Sequence, residues 1–224
     1  KDNTEVVQSW ARLNKLTLNV VVQGAWALLL RAYGAGEDIV YGVTVSGRTP
    51  DLDDAEDMVG LFINTLPLRV RFNPTDDRVE WLQSIQKQLT DMRQFEFSRL
   101  VDIQEWSELP PGDQLFDSIC VFENYPVDES LIDNKGYMQV RNIQYFEKTN
   151  YPLTASASPG KRMTLRINFD SSKYDAQSIN SMLNHWQRLV MGIALNESPP
   201  KIFSEKEQLD FKVWSRHAIK FEAP

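Results

Sequence analysis

The sequence predicts an α/β (α+β) chain, a mixed β-sheet flanked by helices. Three observations carry that expectation. Helical and strand-like periodicities are interleaved along the chain, and a sheet covered by helices is the layered arrangement that buries both. Asp38 to Ser46 is β-branched and apolar on both faces, which suits a central strand. Asn19 to Tyr33 carries an apolar stretch that runs nearly all the way round a helix, which points to burial. Apolar residues make up 42% of the 224 residues and six are Trp, enough for a packed core.

Taken in order, the elements follow from local chemistry. Thr4 is placed to cap a first helix, with Glu5 in the first turn and Val6, Val7, Trp10 and Leu13 at helical spacing. The buried helix follows, and Gly34 and Gly36 end it. After the central strand, Gly47-Arg48-Thr49-Pro50 turns into an acidic loop, Asp51 to Asp57, with five carboxylates. That loop lacks the glycine and the terminal bidentate Glu of a calcium loop, so a solvated loop is expected.

Val59 to Val70 reads as the next strand. From Phe62 to Phe72 the even positions are Phe, Asn, Leu, Leu, Val and Phe, and the odd positions are largely polar. Asn64 interrupts the apolar face, and a buried amide requires partners. Pro67 implies an edge strand or a bulge. A bulge would swap the faces upstream of it, so the direction of Asn64 stays open.

Thr75-Asp76-Asp77 opens an amphipathic helix marked by Val79, Leu82, Ile85, Leu89 and Met92. Leu100 to Trp106 is a short helical turn, broken by Pro110-Pro111-Gly112. Strands are expected at Leu115–Tyr125, Tyr137–Phe146, Leu153–Ser158 and Met163–Phe169, with Pro159-Gly160 as a hairpin turn between the last two. A long helix opens at Asp175 and buries Ile179, Met182, Leu183, Trp186, Leu189, Val190 and Ile193. Ser204-Glu205-Lys206-Glu207 is a capping-box pattern for a short terminal helix. Residues 1–198 read as one unit, with 199–224 as a tail leaving it.

Composition narrows the function. Lys and Arg total 24 against 31 Asp and Glu, a net charge of −7, which opposes nucleic-acid binding. Acidic balance is the common state of cytosolic proteins, and a cytoplasmic location is expected. No apolar run approaches the ~18 residues of a membrane span, and Lys1 to Thr4 lacks a signal-peptide pattern. The one cysteine, Cys120, excludes an internal disulfide and a thiolate metal cluster. It stands in an apolar run with no His near it in sequence, so a small buried hydrophobe is expected rather than a nucleophile. Two histidines occur. His185, on the last long helix, is expected exposed or half-buried, with a catalytic base as the lesser reading, and His217 is expected exposed in the tail. Neither has a local triad or metal signature. There is no Gly-x-Ser-x-Gly, phosphate loop or dinucleotide fingerprint.

A resemblance takes the reading further. Gly60-Leu61-Phe62-Ile63-Asn64-Thr65 resembles the Gly-x-Phe-(Val/Ile)-Asn-Thr motif of the condensation domains of nonribosomal peptide synthetases. Asn19 to Tyr33, Tyr41 to Arg48, Leu115 to Ser118, Phe122 to Pro126 and Thr149 to Leu153 are similar to further family segments, in the same order. Leu209 to Ser215 resembles the segment that leads into an adenylation domain. The family's catalytic motif, His-His-x-x-x-Asp-Gly, has no counterpart here, because no His-His pair occurs.

The resemblance implies the C-terminal lobe of a chloramphenicol acetyltransferase-like domain, followed from residue 199 by a linker toward an adenylation domain. It implies no catalytic residue in this lobe. It implies a tunnel wall bearing Asn64, Thr65, Asn124 and Tyr125, with Ser46 and Arg48 at the entrance. No metal or cofactor is expected to bind this lobe; phosphopantetheine is presented by donor and acceptor carrier proteins. The N-terminal lobe and an adjacent adenylation domain are the other expected partners, with neither nucleic acid nor membrane among them. The alternatives are a docking module without catalysis, or the same lobe of an epimerisation, heterocyclisation or acyl-CoA transferase relative.

Overall fold

A computed structural model describes residues 3–48, 54, 57–73, 77–110, 112–123, 149–195, 197, 202–204, 207 and 208. Helix α1 (Asn3–Leu13) precedes α2 (Leu18–Leu30), which Thr17 caps by accepting the Val20 N–H. A π-helical turn, Arg31–Ala35, ends α2 where Gly34 and Gly36 take positive φ. Strands β1 (Asp38–Val45) and β2 (Asn64–Arg71) follow, then α3 (Arg78–Asp91) and α4 (Leu100–Glu105). The chain then forms β3 (Ser118–Phe122), β4 (Leu153–Ser158), β5 (Thr164–Phe169) and α5 (Ala176–Ala194).

The five strands form one mixed sheet in the order β2-β1-β3-β4-β5. The outer pairs, β1–β2 and β4–β5, are antiparallel, while β1–β3 and β3–β4 are parallel. Parallel neighbours need a long crossover, and α3 and α4 supply it between β1 and β3. Helix α2 is the centre of the helical layer and packs on α3, α5 and β3. Trp26 of α2 meets Trp186 of α5 edge to face at 5.2 Å, and both are fully buried. Such a pair adds about 0.5–1.5 kcal/mol beyond the area it buries.

The structure resolves the question that Pro67 left open. β2 is the sheet's edge among the described residues, and its register with β1 runs unbroken from Asp38↔Arg71 to Val45↔Asn64. Pro67 therefore marks an edge and not a bulge. Asn64 shares the face of Leu66, Leu68 and Val70, all three buried.

Four expectations change. Thr4 does not cap α1: the helix already runs at Asn3, and the Thr4 hydroxyl instead accepts the Met163 N–H, 2.9 Å away. The strand expected from Val59 starts only at Asn64. Its partner β1 turns away at Gly47, whose φ of 66° ends the ladder and leaves Val59 and Leu61 unpaired and exposed. β3 is shorter than expected, beginning at Ser118. His185 is buried rather than exposed, because its face of α5 is covered by Tyr33 and by residues 203 and 207. The Tyr137–Phe146 strand, His217, and most of the acidic loop lie outside the described residues.

Candidate functional site at the carboxyl ends of the parallel strands

Strands β1 and β3 run parallel and end together, at Val45 and Phe122. Side chains at the carboxyl ends of parallel strands surround a crevice that the strands themselves cannot fill, the usual ligand position in open α/β sheets. Here the crevice is a cleft of about 610 Å³, lined among others by Thr44, Ser46, Arg48, Leu61, Phe62 and Phe122.

The mouth is built on Gly47. A Cβ at this position would stand 1.9 Å from the Phe62 carbonyl oxygen, so only glycine lets the two chains approach this closely. The turn places the Arg48 guanidinium 4.4 Å above the Phe62 ring, a cation–π arrangement. Arg48 Nη2 donates to the Met58 carbonyl at 2.9 Å, while its buried Nη1 has no partner among the described residues.

Asn64 is saturated differently from expectation. Its Nδ2 donates to two carbonyls, Glu96 at 2.9 Å and Ser98 at 2.7 Å, and its Oδ1 accepts the Thr65 N–H at 2.8 Å. The amide that interrupts the apolar face thus ties the start of β2 to the turn before α4. Both donors are committed, leaving spare acceptor capacity on the oxygen. Thr65 lies on the opposite face and pairs with Thr44 across the ladder. The structure therefore brings Ser46 and Arg48 into the lining of the cleft, whereas Asn64 and Thr65 follow the lining residue Ile63 in sequence and do not line it themselves. Asn124 and Tyr125 lie outside the described residues, two and three positions after the end of β3 in sequence.

Glu96 escaped the sequence reading. It is buried, and its Oε2 accepts the Gly47 N–H at 2.8 Å and the Ser46 hydroxyl at 3.4 Å. Its only sequence signal is an acid between two aromatics, Phe95-Glu96-Phe97.

Away from the cleft, Cys120 is fully buried and burial pushes its thiol up, away from the reactive thiolate. His185 bridges Tyr33 Oη at 2.8 Å and Glu207 Oε1 at 2.9 Å. Glu207 also accepts from Arg188 at 2.8 Å and closes the capping box with Ser204. The Ser204 hydroxyl and N–H, then His185 and Arg188, hold the Glu207 carboxyl well below the usual carboxylate range. Among the described residues no cluster of His, Cys, Asp and Glu is arranged to hold a metal ion, and no single helix is long and apolar enough to cross a membrane.

The fold is that of a known class. The family model for the Condensation domain matches residues 1–206, and the chain belongs to that family. It is 38% identical to a linear gramicidin synthase polypeptide of Brevibacillus parabrevis, over 99% of this chain and 3% of that protein. It is 36% identical to the chondramide synthase cmdD of Chondromyces crocatus, over 93% of this chain and 5% of that protein. The chain therefore spans only a small part of the length of these relatives. The fold matches a solved condensation domain from the monacolin K polyketide synthase MokA with a TM-score of 0.69 and 19% identity, over 87% of this chain. The chain spans 45% of that solved chain, and so less than half of it. The mixed sheet flanked by helices is thus the chloramphenicol acetyltransferase-like arrangement expected from the sequence.

Proposed function

We propose that this chain is one lobe of a condensation domain that forms amide bonds in nonribosomal peptide synthesis. In that reaction an amine on one carrier-protein thioester attacks the thioester carbonyl on another. The nitrogen–carbon bond forms, the carbon–sulfur bond breaks, and the departing thiol takes up the proton that the amine loses. This lobe supplies one wall of the tunnel in which the two phosphopantetheine arms meet. In this reading Ser46 and Arg48 stand at the entrance, with Asn64 and Thr65 along the wall; the resemblance assigns Asn124 and Tyr125, which lie outside the described residues, to the same wall. Their contribution is orientation, which lowers a barrier without transferring a proton.

The observation that carries this reading is the cleft at the ends of β1 and β3, together with uncovered apolar side chains. Val59, Leu61, Phe97, Val101 and Trp106 are all more than 60% exposed. Apolar side chains left this exposed are what a surface covered by another body presents when alone. The second lobe of the domain is the proposed cover, and it is where the His-His-x-x-x-Asp-Gly motif belongs. Residues 199–224 then lead toward an adenylation domain, and the assembly is cytoplasmic.

The same exposed face also supports a docking role without catalysis. Amide formation from two loaded carrier proteins separates the two readings. The chain alone is expected to give no product, and the complete domain is expected to give it. Amide formation by the chain alone would overturn the half-domain reading. A complete domain that binds both carriers yet forms no amide would favour docking.

A further inference from the structure

Glu96 is a buried acid whose side chain is paired with neutral groups. Its Oε2 takes the Gly47 N–H and the Ser46 hydroxyl, and Ser46 Oγ in turn accepts the Arg48 N–H at 3.3 Å. Its own carbonyl oxygen accepts from Asn64 Nδ2. One residue thus grips the end of β1 through its side chain and the start of β2 through its backbone. Those two segments frame the cleft.

We propose that Glu96 is the positioning residue of the cleft mouth: its carboxyl group sets the Ser46–Gly47–Arg48 turn, and through that turn it aims the Arg48 guanidinium. An acceptor oxygen that takes two donors in a partly closed site fixes the geometry of both, because a donor left unmade there is costly. Glu96 itself touches no substrate. Its effect passes through Arg48, and the proposal rests on the cleft being the substrate site proposed above.

The test is a double-mutant cycle in the complete condensation domain, with carrier-bound substrates and with Tm measured for every variant. Glu96→Ala is expected to lower kcat/KM about tenfold per folded molecule, the scale of one lost hydrogen bond to an ionisable group. Glu96→Gln keeps an acceptor oxygen at the same reach and is expected to stay within about threefold of the parent. Glu96→Asp, which withdraws the acceptor by one methylene, is expected to fall between the two, and carries the test if the alanine variant does not fold. Glu96→Ala combined with Arg48→Ala is expected to lose no more than Arg48→Ala alone, because the two act as one unit. Additive losses would overturn the proposal. So would a Glu96→Ala enzyme of lowered Tm but parental kcat/KM, the signature of a merely structural acid. Parental kcat/KM in Arg48→Ala would overturn the reading of the cleft itself, and the positioning role with it.

Discussion

Gly47 concentrates the local constraints of the cleft in one backbone position. Its φ of 66° and the approach of the Phe62 carbonyl leave no room for a side chain. Gly47→Ala introduces both left-handed strain and a collision with backbone that cannot rotate aside. The expected cost is about 1–3 kcal/mol, read as a lower denaturant midpoint at unchanged slope in urea unfolding. An unchanged midpoint would mean that the turn relaxes freely. Asn64 belongs at the same scale. Its two donors end on carbonyls 32 and 34 residues further along the chain. The asparagine stands on an apolar face because that is where those carbonyls come within reach.

Among the elements, the segment at residues 202–208 shows how a short piece of chain is held. Arg188 donates to the Ile202 carbonyl, and Glu207 gathers Ser204, His185 and Arg188. The Glu207 carboxyl is held below its ordinary pKa, so its contribution is complete above the unfolded value near ~4.3. It is lost only as pH falls through the lower folded value. The segment is therefore expected to stay docked at pH 5 and above and to loosen in stronger acid. Glu207→Gln removes the charge and is expected to loosen it at neutral pH. Hydrogen exchange at the Glu207 and Gln208 amides reads both effects; protection in the glutamine variant equal to that of the parent would contradict the charge-based account.

For the whole molecule, the exposed apolar side chains govern behaviour. A chain that leaves Val59, Leu61, Phe97 and Trp106 uncovered should bind an apolar fluorescent dye while fully folded. Leu61→Asp together with Trp106→Ser is expected to reduce that binding without lowering Tm, since both side chains already face solvent. On the proposed half-domain reading, supplying the second lobe, covalently or not, should quench the signal in the same way. A dye signal that persists with both lobes present would locate the apolar surface elsewhere.

Local chemistry settled a good deal. The alternation from Leu66 to Arg71 follows the buried and exposed faces of β2, and the α5 stripe from Ile179 to Ile193 follows its core face, because both depend only on the repeat of one element. The ordered motifs that identify the condensation family are likewise linear patterns, matched over residues 1–206. Tertiary structure alone decided what pairs across distance. The burial of His185 depends on Tyr33, 152 residues away, and the role of Glu96 depends on Gly47, 49 residues away. Periodicity records which face of a segment is apolar. It carries no record of which distant donor or acceptor that face will meet, and in this chain the cleft mouth is made of such meetings.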